Sequence, residues 1–166
     1  MSSIEMEEPE KIRSDAIEGA LELLQNDEVN EVVSSTFFGD ARQKLTREKL
    51  EKVIVAKPDK YAKTSLARAI SSFGRGRLYP GKVTLYRPFF EEFNIRIGPD
   101  QTAASLGLPM GQRRIIILLH ELSHLTRKYI DVFQFVGKHY FDQPIYDQCT
   151  INKRIYDAWH AKKDID

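Results

Sequence analysis

A single cysteine, Cys149, in 166 residues leaves no intrachain disulfide to brace the fold. The core must therefore hold by burial and hydrogen bonding, which a chain of this length can do as one domain. Cys149 reads as a small buried hydrophobe rather than a reactive thiol, and the redox compartment stays open. No apolar run approaches the length of a membrane-spanning helix, and the N-terminus has no apolar signal segment. The expectation is no membrane partner and a cytoplasmic protein by default, with a secreted mature form as the alternative. Charge of one sign is also lacking. The chain carries 25 Lys and Arg against 24 Asp and Glu, formal net charge +1, so no global field points to nucleic acid. Internal repeats and low-complexity stretches are absent, and nothing in the composition addresses oligomeric state.

What is present has the texture of an α+β domain. The acidic start (Glu5, Glu7, Glu8, Glu10) is expected to be a disordered, solvated tail over residues 1–10, with residues 11–166 a single domain. From Ile12 to Leu24, apolar residues recur at helical spacing: Ile12, Ala16, Ile17, Ala20, Leu21 and Leu24. Asp27 is placed to cap a second helix over Glu28–Ser35. Gly39-Asp40 punctuates the chain, and Thr46-x-x-Lys49 opens a third helix reaching about Ala56. After a turn at Pro58-Asp59, Tyr61–Phe73 is a fourth helical candidate. Lys82–Tyr86 and Phe93–Ile97 alternate apolar and polar residues, the mark of half-buried strands. A loop over Leu106–Gly111 leads into the apolar run Ile115–Leu119, and a further helical stretch lies near Ile151–Lys162. Helices first, a small sheet, then one central helix: that order predicts an α+β fold.

The central helix, expected over residues 115–128, carries His120-Glu121-Leu122-Ser123-His124. On an α-helix, positions i and i+4 share a face, about 6 Å apart along the axis. Two imidazoles so placed converge on one zinc ion, with bonds of about 2.0–2.1 Å. Glu121 projects about 100° round from His120, beside the ion rather than on it. The chemistry follows from the residue types: zinc lowers the pKa of a water, Glu121 takes its proton, and the hydroxide attacks a polarised carbonyl. Only four histidines occur in the chain. A chance H-E-x-x-H is therefore unusual, roughly one in a hundred for this composition. Ile115, Leu118, Leu119, Leu122 and Leu125 supply apolar anchoring, and Arg127 and Lys128 suit a helix C-terminus near Lys128. One catalytic Zn2+ is the expected cofactor, and a peptide or protein the expected substrate.

A catalytic zinc takes a third protein ligand and keeps one open position. The metzincin continuation fails, because Arg127 and Ile130 stand where it needs Gly and His. A thermolysin-type glutamate is excluded as well, since no Glu follows Glu121. Asp131, Asp142, Asp147, Asp157, Asp164, Asp166, His139 and His160 remain. An unbroken helix would carry Asp131 about 16 Å beyond His120, out of reach. A helix ending near Lys128 lets the chain turn back with Asp131, and one continuing to Gly137 leaves the task to Asp142 or Asp147. A tyrosine hydroxyl is wanted to steady the oxyanion, and Tyr129, Tyr140, Tyr146 and Tyr156 are available.

His120–Leu125, followed by aspartates but no glutamates, resembles the aspzincin group of zinc metallopeptidases, the deuterolysin-like and peptidyl-lysine endopeptidases. Asn152-Lys-Arg-Ile-Tyr156-Asp-Ala-Trp159 is similar to the helix that backs the site in that group. The resemblance spans about residues 113–160. It implies a zincin-like fold, a peptidase activity, and Asp131 as third zinc ligand after His120 and His124. It further implies that the sheet of Lys82–Tyr86 and Phe93–Ile97 packs on the motif helix, its edge pairing with an extended substrate. The chain departs from the group in lacking its Gly-Thr-x-x-Asp-x-x-Tyr-Gly signature. Asp131 arrives slightly early, and Gln134 stands where the tyrosine belongs. Those departures motivate an alternative, a catalytically degenerate zincin-like domain serving as a zinc-containing interaction or regulatory module.

Overall fold

A computed structural model describes residues 3–35, 39–58, 66–70, 82–123, 130–132, 138–140, 143–147 and 150–161. For 3–7, 68–70 and the three segments between 130 and 147, only the backbone is described. The expected α+β composition is found: helices dominate the first third, and small sheets follow.

Helix α1 (Ser3–Leu23) begins well before Ile12, so residues 3–10, expected as a disordered tail, are helical. Glutamates are good helix formers, and at a helix N-terminus they also complement the macrodipole. Ala16, Ile17, Ala20, Leu23 and Leu24 are buried, as their spacing predicted. Helix α2 (Asp27–Ser34) is capped by Asn26, not Asp27. The Asn26 side chain accepts from the backbone N–H groups of Glu28 and Val29, which leaves Asp27 as the first helical residue. Gly39 takes φ +123°, a conformation open to glycine, and Asp40 caps the short α3 (Ala41–Lys44). Thr46 caps α4 (Arg47–Val53) as its position implied.

The helix stops at Val53, short of Ala56, because Ile54–Lys57 forms strand β1. Arg13 of α1 secures this junction. Its guanidinium donates to the carbonyls of Glu51 and Ile54, each at 2.9 Å, satisfying acceptors at the helix end. Strand β2 (Ala67–Ile70) falls inside the segment expected to be helical, and Leu66 just before it is half-buried. The remainder of that segment lies outside the described residues. Strand β3 (Lys82–Tyr86) has the expected bounds. It is the middle strand of the order β1-β3-β2, parallel to β1 and antiparallel to β2. Val83, Thr84 and Leu85 are all buried, so both faces of β3 are covered, whereas the alternation pointed to one.

Beyond β3, a 3-10 turn (Arg87–Phe90) leads to β4 (Arg96–Gly98) and β5 (Gln101–Thr102), which pair as an antiparallel ribbon. Phe93–Asn94 therefore precedes the strand and takes no part in the β3 sheet. Asn94 is occupied locally, its side-chain oxygen accepting from the Ile95 and Ala104 N–H groups. Helix α5 (Met110–Ser123) starts inside the expected Leu106–Gly111 loop and five residues ahead of Ile115, its first turn closed on the Pro109 carbonyl. After it come β6 (Ile130–Val132), β7 (Lys138–Tyr140) and β8 (Gln143–Asp147), a second three-stranded sheet of order β6-β8-β7. Helix α6 (Thr150–Trp159) closes the described chain.

Helix α5 is the hub. It packs against α1, α6 and β2, and Ile116, Leu118, Leu119 and Leu122 are wholly buried. The contact with α1 is close enough to need a glycine. A Cβ on Gly19 would run into Ile115 Cδ1 and lie 2.9 Å from its Cγ1. Gly19→Ala gains about 1 kcal/mol of helix propensity but overpacks the crossing, at a typical cost of about 1–3 kcal/mol. Lower thermal stability is expected for Gly19→Ala alone. In an Ile115→Ala background the same substitution is expected to stabilise, and thermal unfolding of the four proteins of the cycle measures that change of sign.

Candidate metal centre

The motif helix is held rigidly from its first turns. Arg113 donates to the carbonyls of Leu108 at 2.8 Å and Phe93 at 2.7 Å. Arg114 donates to those of Phe89 at 2.9 Å and Glu91 at 3.2 Å. Two adjacent guanidiniums thus tie α5 to the loops before and after the β4–β5 ribbon. Burial lowers the pKa of Arg114 from its usual value, with Glu8 opposing the shift. With the helix start pinned and its middle in the core, the rotation of its last described turn is fixed.

That turn carries His120 and Glu121. His120 is 7% exposed, Ser123 is buried, and Glu121 is half-buried. The Ser123 hydroxyl donates to the His120 carbonyl, satisfying an acceptor in the final turn. Across from α5, α6 presents a polar side chain on its buried stripe: Asn152, 6% exposed, between Ile151 and Ile155. His120 Nδ1 and Asn152 Oδ1 lie 2.9 Å apart. Asn152 Nδ2 donates in turn to the Arg96 carbonyl of β4 at 3.2 Å. One polar chain therefore runs from β4 through α6 to the motif histidine.

His124 lies outside the described residues, as do Leu125, Arg127, Lys128, Tyr129, Asp142 and Cys149. The backbone nevertheless settles two points about the segment after the motif. The helix is over before Ile130, where β6 begins, so neither a helix unbroken to Asp131 nor one reaching Gly137 exists. Asp131 sits in β6 opposite Tyr146 of β8, and Asp147 is opposite Val132 in the same parallel pair. Residues 130–132, 138–140 and 143–147 thus form a three-stranded sheet that the sequence reading did not anticipate. His139 and Tyr140 belong to β7.

Two downstream candidates can be placed by their side chains. Asp157 is exposed and paired with Lys153 at 3.1 Å. His160 is exposed at the end of α6, stacked on the Tyr156 ring with centroids 4.3 Å apart. It lies eight residues beyond Asn152, about 12 Å along the helix, and does not approach His120. Tyr156 is half-buried one turn from Asn152. Asp164 and Asp166 lie outside the described residues.

Among the described residues, no three His, Cys, Asp or Glu side chains gather as a ligand set. The chemistry of His120 nonetheless suits a zinc ligand. Metal-binding imidazoles characteristically hydrogen-bond through their second ring nitrogen to a fixed oxygen, as His120 does to Asn152. A cleft elsewhere, lined by Glu8, Lys11, Asp15, Phe90, Glu92 and Arg114 among others, contains none of the motif residues. No helix among the described residues is long and apolar enough to cross a membrane. Comparison with protein-family models, with curated proteins and with solved structures finds no match for the chain.

Asn152 is the site residue whose contact the sequence did not reveal. A signal was there: it is a polar residue on the apolar stripe of an amphipathic helix, flanked by Ile151 and Ile155. Such a residue needs a partner inside the protein, and the partner is the motif histidine.

Proposed function

We propose that this chain is a zinc-dependent metallopeptidase of zincin-like architecture, with His120 and His124 as ligands, Asp131 as the third, and Glu121 as general base. The observation that carries the reading is the buried His120–Asn152 hydrogen bond on a motif helix anchored in the core. A bound zinc ion would acidify a water molecule and polarise the scissile carbonyl. The protein's own residues do the rest. Helix α5 holds His120 and Glu121 in fixed relation, and the half-buried Glu121 carboxylate receives a proton from the water and returns it to the leaving amine. The termination of the helix before Ile130 leaves the following segment able to bring β6, with Asp131, back towards the motif.

An extended substrate pairs with a sheet edge. Strand β3 cannot serve, because β1 and β2 occupy both of its sides. Among the described residues, the outer strands of this sheet are β1 and β2, and β2 packs against α5. Assay on unfolded protein substrates tests the reading. Hydrolysis is expected, lost on removal of metal by a chelator and restored by about one equivalent of zinc. Stoichiometric zinc without turnover on varied substrates would point instead to a zinc-containing interaction module.

A further inference from the structure

We infer that Asn152 is a positioning residue that holds His120 in the tautomer with its proton on Nδ1, which leaves Nε2 as the ligating nitrogen of the neutral ring. The inference deepens the metallopeptidase reading and rests on it for the identity of the ion. The position of the Nδ1 proton is argued from the hydrogen bonds of Asn152. A backbone carbonyl only accepts, so the contact with Arg96 O at 3.2 Å requires the Asn152 amide to present its NH2 there. The opposite orientation would set Asn152 Oδ1 against the Arg96 carbonyl, two acceptors with no hydrogen between them. With the amide so oriented, Oδ1 faces His120 Nδ1 at 2.9 Å. Oδ1 also only accepts, and Nδ1 must therefore carry the hydrogen. In the neutral ring that leaves the lone pair on Nε2.

Burial makes the arrangement binding. His120 and Asn152 are 7% and 6% exposed, so bulk water is poorly placed to substitute for either partner. An orphaned polar atom at such a position costs about 1–3 kcal/mol. The outer end of the relay is a backbone group on β4, and α6 packs against both β4 and α5. The β4–β5 ribbon, remote from the motif in sequence, thereby sets which nitrogen of His120 meets the ion.

The test reads the tautomer directly and zinc affinity separately. Long-range 1H–15N NMR on the metal-free wild type is expected to show, for the neutral ring, the proton on Nδ1 and none on Nε2. Zinc affinity, measured by competition with a chromophoric chelator, is expected to fall about 10–100-fold in Asn152→Leu. Asn152→Asp keeps the acceptor for Nδ1 but loses the donor to Arg96, and is expected to retain the tautomer and most of the affinity at lower thermal stability. A role in packing alone would lower the melting temperature of Asn152→Leu and leave its zinc affinity at the wild-type value. Protonated Nε2 in the wild type, or unchanged affinity in folded Asn152→Leu, overturns the inference. Should Asn152→Leu fail to fold, the wild-type spectrum and the Asp variant still decide it. A wild type that shows the expected tautomer but takes up no zinc sinks the metallopeptidase reading while the Asn152–His120 assignment stands.

Discussion

Glu121→Gln is expected to keep the metal and abolish hydrolysis, with kcat falling about 10²–10⁴-fold as is typical for loss of a general base. The substitution is nearly isosteric at a half-buried position, so neither the core contacts of α5 nor His120 should move. What it removes is the proton acceptor. A carboxamide hydrogen-bonds to water but does not take its proton at neutral pH. Metal content, peptide hydrolysis and thermal stability should be measured on the same preparation. Wild-type metal content with activity gone fits the role. An active Glu121→Gln enzyme removes Glu121 from the chemistry, and a variant that loses its metal would show that Glu121 supports the site rather than the reaction.

The second large effect is expected at His120. His120→Ala removes one proposed ligand and leaves Asn152 Oδ1 without its buried partner. The orphaned acceptor alone costs about 1–3 kcal/mol, so reduced stability by itself says little about metal. The response to a chelator separates the two. A ligand present at about a hundred times its dissociation constant stabilises by about 2.7 kcal/mol. For a domain of this size that corresponds to roughly 5–10 °C in Tm. The wild type should drop by that much on chelation, and His120→Ala should not respond.

The helical half of the fold was legible because its signals are local. The spacing of Ala16, Ile17, Ala20 and Leu24 locates the buried stripe of α1, and Thr46 marks the start of α4. Strand β3 was readable from alternation, yet its central place in the sheet was not, since strand order depends on partners distant in the chain. Ile54–Lys57 and Ala67–Ile70 illustrate the same limit. Each is a four-residue strand whose neighbours carry helical periodicity, and each is strand because β3 lies beside it. The Asn26 cap was missed by one position because Asn26 and Asp27 are both good capping residues, and only backbone geometry chooses between them.

The candidate site divides along the same line. His120, Glu121 and their helix follow from five consecutive residues and the period of an α-helix. The buried environment was foreseen at Leu118, Leu119 and Leu122, while Ile116, equally buried, was absorbed into the general apolar run. Asn152 was noticed only as part of a resemblance, 32 residues from the histidine it touches. Tertiary packing of α6 on α5 creates that contact, and no spacing rule reaches across it. Arg113 and Arg114 are similar, charged residues whose partners are carbonyls in loops that precede the helix.

Zinc content of the purified wild-type protein, determined by elemental mass spectrometry without chelator in the buffers and beside His120→Ala, bears most directly on the proposed centre. One equivalent in the wild type and near none in the variant is the expected result. Less than about half an equivalent in the wild type, or equal zinc in both proteins, would contradict a metal held by His120.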